Sequence, residues 1–433
     1  MTDAPTTTPT ALDAAQVEPV AKVERPADVP ERKPVVSALD SLAAMRERWE
    51  KGPEPAFSTG LAQLNAVLGG GLRRKSFVLM TGAAKSGKTS LFDQVVFDAV
   101  SCALSAEDPA RQAFGLVLSP EMTVDETIAR WLARLAFLLR RNAKGSPERW
   151  AQPDAWTGYD RITTGDAWQA EGMRSAVEEA TERARRTLSR LAVERLPPLS
   201  PVSAIEERIE RACERWPGMT PIVFIDPIQR FAPTGCNPIE AMRMEETERV
   251  SHVAPQVFDL AERKGLIVLA TADTTKAGAG GASSATAARG SYMLNHAATT
   301  VLGFHRTADP RDDDADAWEG RLRALAERLT REGGAAEGED AEALTEWIAG
   351  RVPLALWDAP DARRLGRRAV YLECSGNRAG PSRPCAFGSV PGAALFEETE
   401  ASGEDAYHPT ARGGLAVRLC NDGEPKQKKA ARR

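Results

Sequence analysis

Gly82-Ala83-Ala84-Lys85-Ser86-Gly87-Lys88-Thr89 fits G-x-x-x-x-G-K-[ST] and stands between an apolar run and a helical one that opens near Ser90. The chemistry it suggests is the cradling of a triphosphate. Glycines at both ends let the backbone curl until successive N–H groups point at phosphate oxygens, and the following helix N-terminus adds favourable partial charge. In that arrangement Lys88 bridges the β- and γ-phosphates of ATP, and Thr89 offers a hydroxyl oxygen to Mg²⁺, a hard ion that keeps most of its water. The bland alternative is an ordinary glycine-rich turn.

Two acids are candidates for the rest of such a site. Ile222-Val223-Phe224-Ile225-Asp226 is an apolar strand ending in a carboxylate, as nucleotide-binding sheets use to hold the water shell of magnesium; a turn or helix cap is the competing role for Asp226. Glu121 follows Phe114–Ser119 in Leu118-Ser119-Pro120-Glu121-Met122, so its carboxylate would emerge at the sheet edge where a γ-phosphate lies, placed to deprotonate water. Its alternative is a helix-capping acid, because Thr123 and Asp125 suggest a helix just beyond.

These residues need a scaffold, and the hydropathy pattern supplies one. Short β-rich runs at Phe77–Thr81, Phe114–Ser119, Ile222–Asp226, Leu266–Thr271, Thr299–Phe304 and Ala369–Cys374 alternate with helical stretches. That pattern predicts an α/β fold with a mostly parallel sheet, covered by helices on both faces. Residues 53–305 form the expected core, resumed by strands over 369–420. Residues 1–36 are rich in Thr, Pro and Ala and are expected to be a disordered tail. Over 37–52, Leu39, Leu42, Met45 and Trp49 recur at helical spacing behind Ser37 as N-cap, with Asp40 three residues on. This helix packs on its own domain or on a neighbouring subunit, a choice that periodicity leaves open. Ala143–Thr164 is irregular, 306–368 is a charged, largely helical insertion opened by a solvated acidic loop (Asp312, Asp313, Asp314, Asp316), and 421–433 is a basic tail.

The chain has 433 residues and a formal net charge of -5, so any binding to a polyanion must come from a local basic surface. Peptide hormones, disulfide mini-proteins and membrane channels are excluded, with no run approaching the roughly twenty apolar residues that span a bilayer; the expected location is the cytoplasm. Six cysteines and four histidines show no zinc-site spacing, and the cysteines are expected to be reduced and mostly buried.

Ser58-Thr59-Gly60-Leu61 through Leu64-Asn65, Leu68-Gly69-Gly70-Gly71-Leu72, the phosphate loop, Ser119-Pro120-Glu121-Met122 and Ile225-Asp226-Pro227-Ile228-Gln229 occur in one order and spacing. Together they resemble the RecA-fold motor domain of DnaB-type replicative helicases, from about Ser58 to Phe304 and again over Tyr371–Pro381. The plasmid RepA-type hexameric ATPases are similar over Phe224–Phe304, with Lys276 and Arg289-Gly290-Ser291. The resemblance implies a RecA-like P-loop NTPase core in a ring, a hexamer, with ATP and Mg²⁺ between subunits. It also implies helicase or single-stranded DNA translocase activity in replication.

By the same resemblance Gly82 through Ser90 bind ATP, Lys88 and Glu121 are catalytic, Thr89 and Asp226 serve the metal, and Arg378 acts as an arginine finger on the next subunit's γ-phosphate. Two departures stand out. Gly376 occupies the place of a second trans-acting cation, and Asp273 stands where the family has a neutral sensor, so its charge would repel a γ-phosphate unless protonated or turned away. Lys276 and Arg289 mark the loop that would grip single-stranded DNA, yet the segment between them carries few charges. That scarcity keeps open a regulatory or recombinase-like RecA-fold ATPase without unwinding activity, and an inactive nucleotide binder.

Overall fold

The apolar runs become strands of one sheet: β1 Ser76–Gly82, β2 Ala113–Ser119, β3 Leu191–Arg195, β4 Thr220–Ile225, β5 Ile267–Asp273, β6 Thr300–Arg306, β7 Arg368–Asn377, β8 Cys385–Val390 and β9 Leu395–Glu397. The computed structural model describes residues 37–50, 52, 54–142, 158–169, 171–274, 291–307, 316–332, 340–351, 368–378 and 384–398. Among them the strand order is β3-β2-β4-β5-β1-β6-β7-β8-β9. Pairings from β3 through β6 are parallel, and β6 to β9 continue antiparallel.

Alternate residues of the central strands enter two different cores. Val78 and Met80 of β1, Ile222 and Phe224 of β4, and Ile267 and Leu269 of β5 face one core; Phe77, Leu79, Val223, Ile225, Val268 and Ala270 face the other. A strand buried on both faces must be apolar throughout, which is why these segments read as continuous runs. The first core is closed by helices α3 Lys88–Cys102, α4 Val124–Asn142 and α5 Glu171–Leu188, the second by α6 Val202–Arg215, α7 Glu246–Lys264 and α8 Ser291–Ala297. Inside the insertion, α9 Asp316–Glu332 and α10 Ala341–Ala349 form a third, smaller core with Ala369, Tyr371 and Ala386.

The edge strand β3 is absent from the sequence expectation. Leu191 to Val193 are only half-buried and Arg195 is exposed, so a five-residue segment with two charges carries little hydrophobic signal. The helix Tyr159–Thr164 likewise replaces an expected irregular stretch. The described cysteines are free; Cys385 is buried, while Cys102, Cys213, Cys236 and Cys374 are only half-buried because they sit at helix and strand margins.

Two motifs of the family resemblance turn out to build the base of the fold. Asn65 Oδ1 accepts from the Thr59 backbone N–H at 2.8 Å and from its hydroxyl at 2.9 Å, and Asn65 Nδ2 donates to Ser58 Oγ at 3.0 Å. Gly60, at φ +80°, lies where a Cβ would stand 2.5 Å from Asp98 Oδ2. That carboxylate forms a buried bidentate pair with Arg134, at 2.6 and 2.8 Å, clamping α3 to α4. One turn earlier Asp93 pairs with Arg130 at 3.1 Å. Burial pushes the Asp93 carboxyl up to about 7, against the pull of Arg130 and with a further push from Asp226.

Residues 38–50 form α1, a separate unit from the sheet. Ser37 Oγ accepts from the Asp40 N–H at 3.1 Å, a closed N-cap. Leu39, Leu42, Met45 and Trp49 are all exposed. Residues 1–36, the acidic loop at 312–314 and the basic tail lie outside the described residues.

Arg134→Met is expected to cost about 3–5 kcal/mol in urea denaturation, because it strands Asp98 as an unpaired buried charge. The native state holds the Asp93 proton to about 7 whereas the unfolded chain releases it near 3.8. This stabilising contribution is therefore complete below the lower value and lost as pH rises through the upper one. Asp93→Asn is expected to remove that decline from stability measured across the same window.

Candidate nucleotide site

Parallel pairing aligns Gly82 at the end of β1 with Asp273 of β5 on one side and Phe304 of β6 on the other. The phosphate loop leaves the sheet there and runs directly into α3, which starts at Lys88, two residues earlier than the sequence suggested. A Cβ on Gly82 would stand 2.9 Å from the Phe304 carbonyl oxygen. Gly87 is at φ +113°, a conformation other residues rarely adopt, and Lys85 also has positive φ. The rings of Phe304 and Phe396 meet edge to face, centroids 6.3 Å apart, and wall the loop at Gly87. Ser86 Oγ is buried beside them with no hydrogen-bond partner.

Lys88 is buried. Its ammonium donates to the Gly82 carbonyl at 2.9 Å, the Ala83 carbonyl at 2.7 Å and Asp273 Oδ1 at 2.8 Å. The Asp273 carboxylate is 44% exposed and turned onto the lysine, which answers the difficulty of placing an acid here. Gln229 holds the same strand end by donating Nε2 to the Asp273 backbone carbonyl at 3.0 Å.

Asp226 follows β4 and is buried. Its Oδ1 accepts from Thr89 Oγ1 at 3.1 Å and from the Thr271 hydroxyl. Burial raises the Asp226 carboxyl above the ordinary range, and the two hydroxyls oppose that rise. Ser119 Oγ donates to the Asp226 carbonyl at 2.7 Å and accepts from the N–H groups of Glu121 and Met122 at 3.1 and 3.0 Å. One hydroxyl thus ties the loop carrying Glu121 to the strand carrying Asp226.

Glu121 is not the acid that caps α4. Thr123 and Glu126 do that reciprocally, the Glu126 carboxylate accepting from the Thr123 N–H at 2.8 Å and Thr123 Oγ1 from the Glu126 N–H at 3.2 Å. Those bonds hold the Glu126 carboxyl below its ordinary range. Glu121 instead stands half exposed, Oε1 accepting from Arg230 Nε at 2.7 Å.

Arg378 lies at the other edge of the sheet. Its N–H donates to the Thr299 carbonyl and the Thr299 N–H to the Phe77 carbonyl, both at 2.8 Å. It is therefore level with the beginning of β1, separated from the loop by about 17 Å of strand. Its guanidinium donates to the His296 carbonyl at 2.7 Å. Lys276 and Arg289 fall outside the described residues.

No family model and no curated protein matches the sequence. Solved structures do. An ATPase domain solved on its own, from a DnaB-like replicative helicase, is similar over 84% of this chain and 99% of its own length, with a TM-score of 0.55 at 15% identity. The structure of a second DnaB-like replicative helicase, described with its interactions with primase, is similar over 84% of this chain and 69% of that one, with a TM-score of 0.55 at 14% identity. The chain has the RecA-like fold of DnaB-like helicase ATPase domains. At this identity the fold is what the likeness carries, and residue roles rest on the geometry.

Within that helicase ATPase fold, the loop supplies a cradle that a Cβ would fill and a buried hydroxyl still lacking a partner. The Thr89 and Asp226 oxygens are hard donors, close enough together to share an ion that arrives with phosphate and water. These residues fit Mg²⁺ and a triphosphate. Ser119, Thr271, Gln229 and Arg230 escaped the sequence reading; the available signal was a polar residue at the end of each apolar strand, or just past it. Ser119→Ala is expected to cost about 1–3 kcal/mol, since it leaves two backbone N–H groups and a carbonyl without their shared hydroxyl. Thermal or urea unfolding measures the loss.

Proposed function

We propose that this chain is an ATP-hydrolysing motor that assembles as a ring, a hexamer, and moves along single-stranded DNA as a helicase or translocase. The observation that carries this reading is the separation of charges. Lys88, Thr89, Asp226 and Glu121 gather at the carboxyl ends of parallel strands, while Arg378 sits at the opposite sheet edge, out of reach of its own loop. An arginine so placed can serve a bound triphosphate only on a second copy of the chain.

In this mechanism the loop N–H groups and Lys88 hold the phosphates, and Thr89 with Asp226 holds Mg²⁺, which when bound neutralises phosphate charge. Glu121, freed from Arg230, accepts a proton from the attacking water. Arg378 of a neighbouring copy places delocalised charge against the transferring phosphoryl group. The exposed apolar stripe of α1 offers a second surface for self-association. Among the described residues no helix is long and apolar enough to cross a membrane. The scarcity of basic residues over 276–289 favours a second reading, a regulatory or recombination ATPase that does not unwind DNA.

ATP turnover with and without single-stranded DNA, followed by strand displacement on a forked duplex, separates these readings. DNA-stimulated turnover with displacement supports the motor; turnover indifferent to DNA supports the regulatory ATPase. Lys88→Ala is expected to abolish nucleotide binding, and Glu121→Gln to retain binding while turnover drops by about 10²-fold or more. Arg378→Ala alone is expected to be inactive, yet mixing it with Lys88→Ala should restore part of the turnover, because each mixed interface can combine one intact loop with one intact arginine. A mixture as inactive as its components would place Arg378 outside the shared site.

A further inference from the structure

All three donors of the Lys88 ammonium are spent inside the chain, on the Gly82 and Ala83 carbonyls and on Asp273 Oδ1. An ammonium has no fourth donor, so a phosphate oxygen can be bound only if one of these bonds is given up. The two carbonyls belong to the loop itself and lie at its buried base. Asp273 is the solvent-facing partner, 44% exposed, and shares the strand-end level of Gly82. It is also the only anionic one, competing with phosphate for the same cation. Its carboxylate is held near the loop by its own backbone, fixed through Gln229 Nε2 and through the β1 pairing, so it stays close to any phosphate that replaces it.

We propose that Asp273 is a positioning residue for Lys88 that sets nucleotide affinity: it orients the ammonium in the empty site, is exchanged for phosphate on binding, and by its retained charge weakens the hold on ATP and ADP. This rests on the ATPase reading above, which it deepens. Replacing the carboxylate by an amide keeps the size and an acceptor oxygen while removing the competing charge. Because the pair is partly solvated, the expected effect is modest, about five- to tenfold tighter binding.

The test is calorimetric titration of Mg-ADP and of a slowly hydrolysed Mg-ATP analogue into the full chain, comparing the unaltered protein with Lys88→Ala, Asp273→Asn, Asp273→Ser and Asp273→Glu. The expected result is a lowered Kd for both nucleotides in Asp273→Asn and Asp273→Ser, an unaltered Kd in Asp273→Glu, and a KM that falls with kcat unchanged or reduced. A merely structural role would weaken binding in the amide and serine variants and would not be rescued by glutamate; that pattern, or unchanged affinity, overturns the proposal. No nucleotide binding by the unaltered chain, or undiminished binding by Lys88→Ala, would instead sink the ATPase reading itself.

Discussion

Parallel hydrogen bonding of β1 between β5 and β6 is the constraint from which the candidate site follows. It brings the carboxyl ends of separate strands to one edge, so that Gly82, Asp273 and Phe304, far apart in sequence, stand side by side. Because each central strand is covered on both faces, sliding one past another by a residue would exchange its two cores. The register that positions the loop is thus enforced by the same apolar side chains that stabilise the sheet.

On this frame the polar groups are held by few contacts, each used more than once. Ser119 serves both the Glu121 loop and Asp226, and Asp226 receives hydroxyls from two different elements. The charged groups most directly suited to chemistry, Lys88 and Glu121, are each engaged by an oppositely charged neighbour, Asp273 and Arg230. Glu121 and Arg230 are both about half exposed, so solvent screens their pairing and exchange is cheap. By contrast Arg134 and Asp98 are fully enclosed and serve to fasten helices.

The phosphate loop, Asp226 and most central strands were legible in the sequence because local signals carry them: a spaced glycine motif, and apolar runs required by two-sided burial. β3 was not, since an edge strand of five half-buried residues lacks that signal. The Lys88–Asp273 and Glu121–Arg230 pairs were equally invisible, because their members lie 185 and 109 residues apart and only the sheet order unites them. The capping ambiguity at Glu121 could not be resolved by spacing, since Glu126 is an equally good acid a few positions on. Arg378 was visible as a motif residue; its position beyond reach of its own loop depends on the antiparallel run of β7, which hydropathy does not encode.

The short strand β9 is held to α3 by Gln94, whose side-chain amide makes two 2.9 Å hydrogen bonds with the Phe396 backbone, mimicking a neighbouring strand across 302 residues of sequence. Phe396 is part of the wall at Gly87. During synthesis, therefore, the loop emerges from the ribosome long before the segment that encloses it. A nascent chain holds an open, unwalled loop until translation has passed the insertion and the last strand has docked, so maturation of the pocket is bound to completion of the domain.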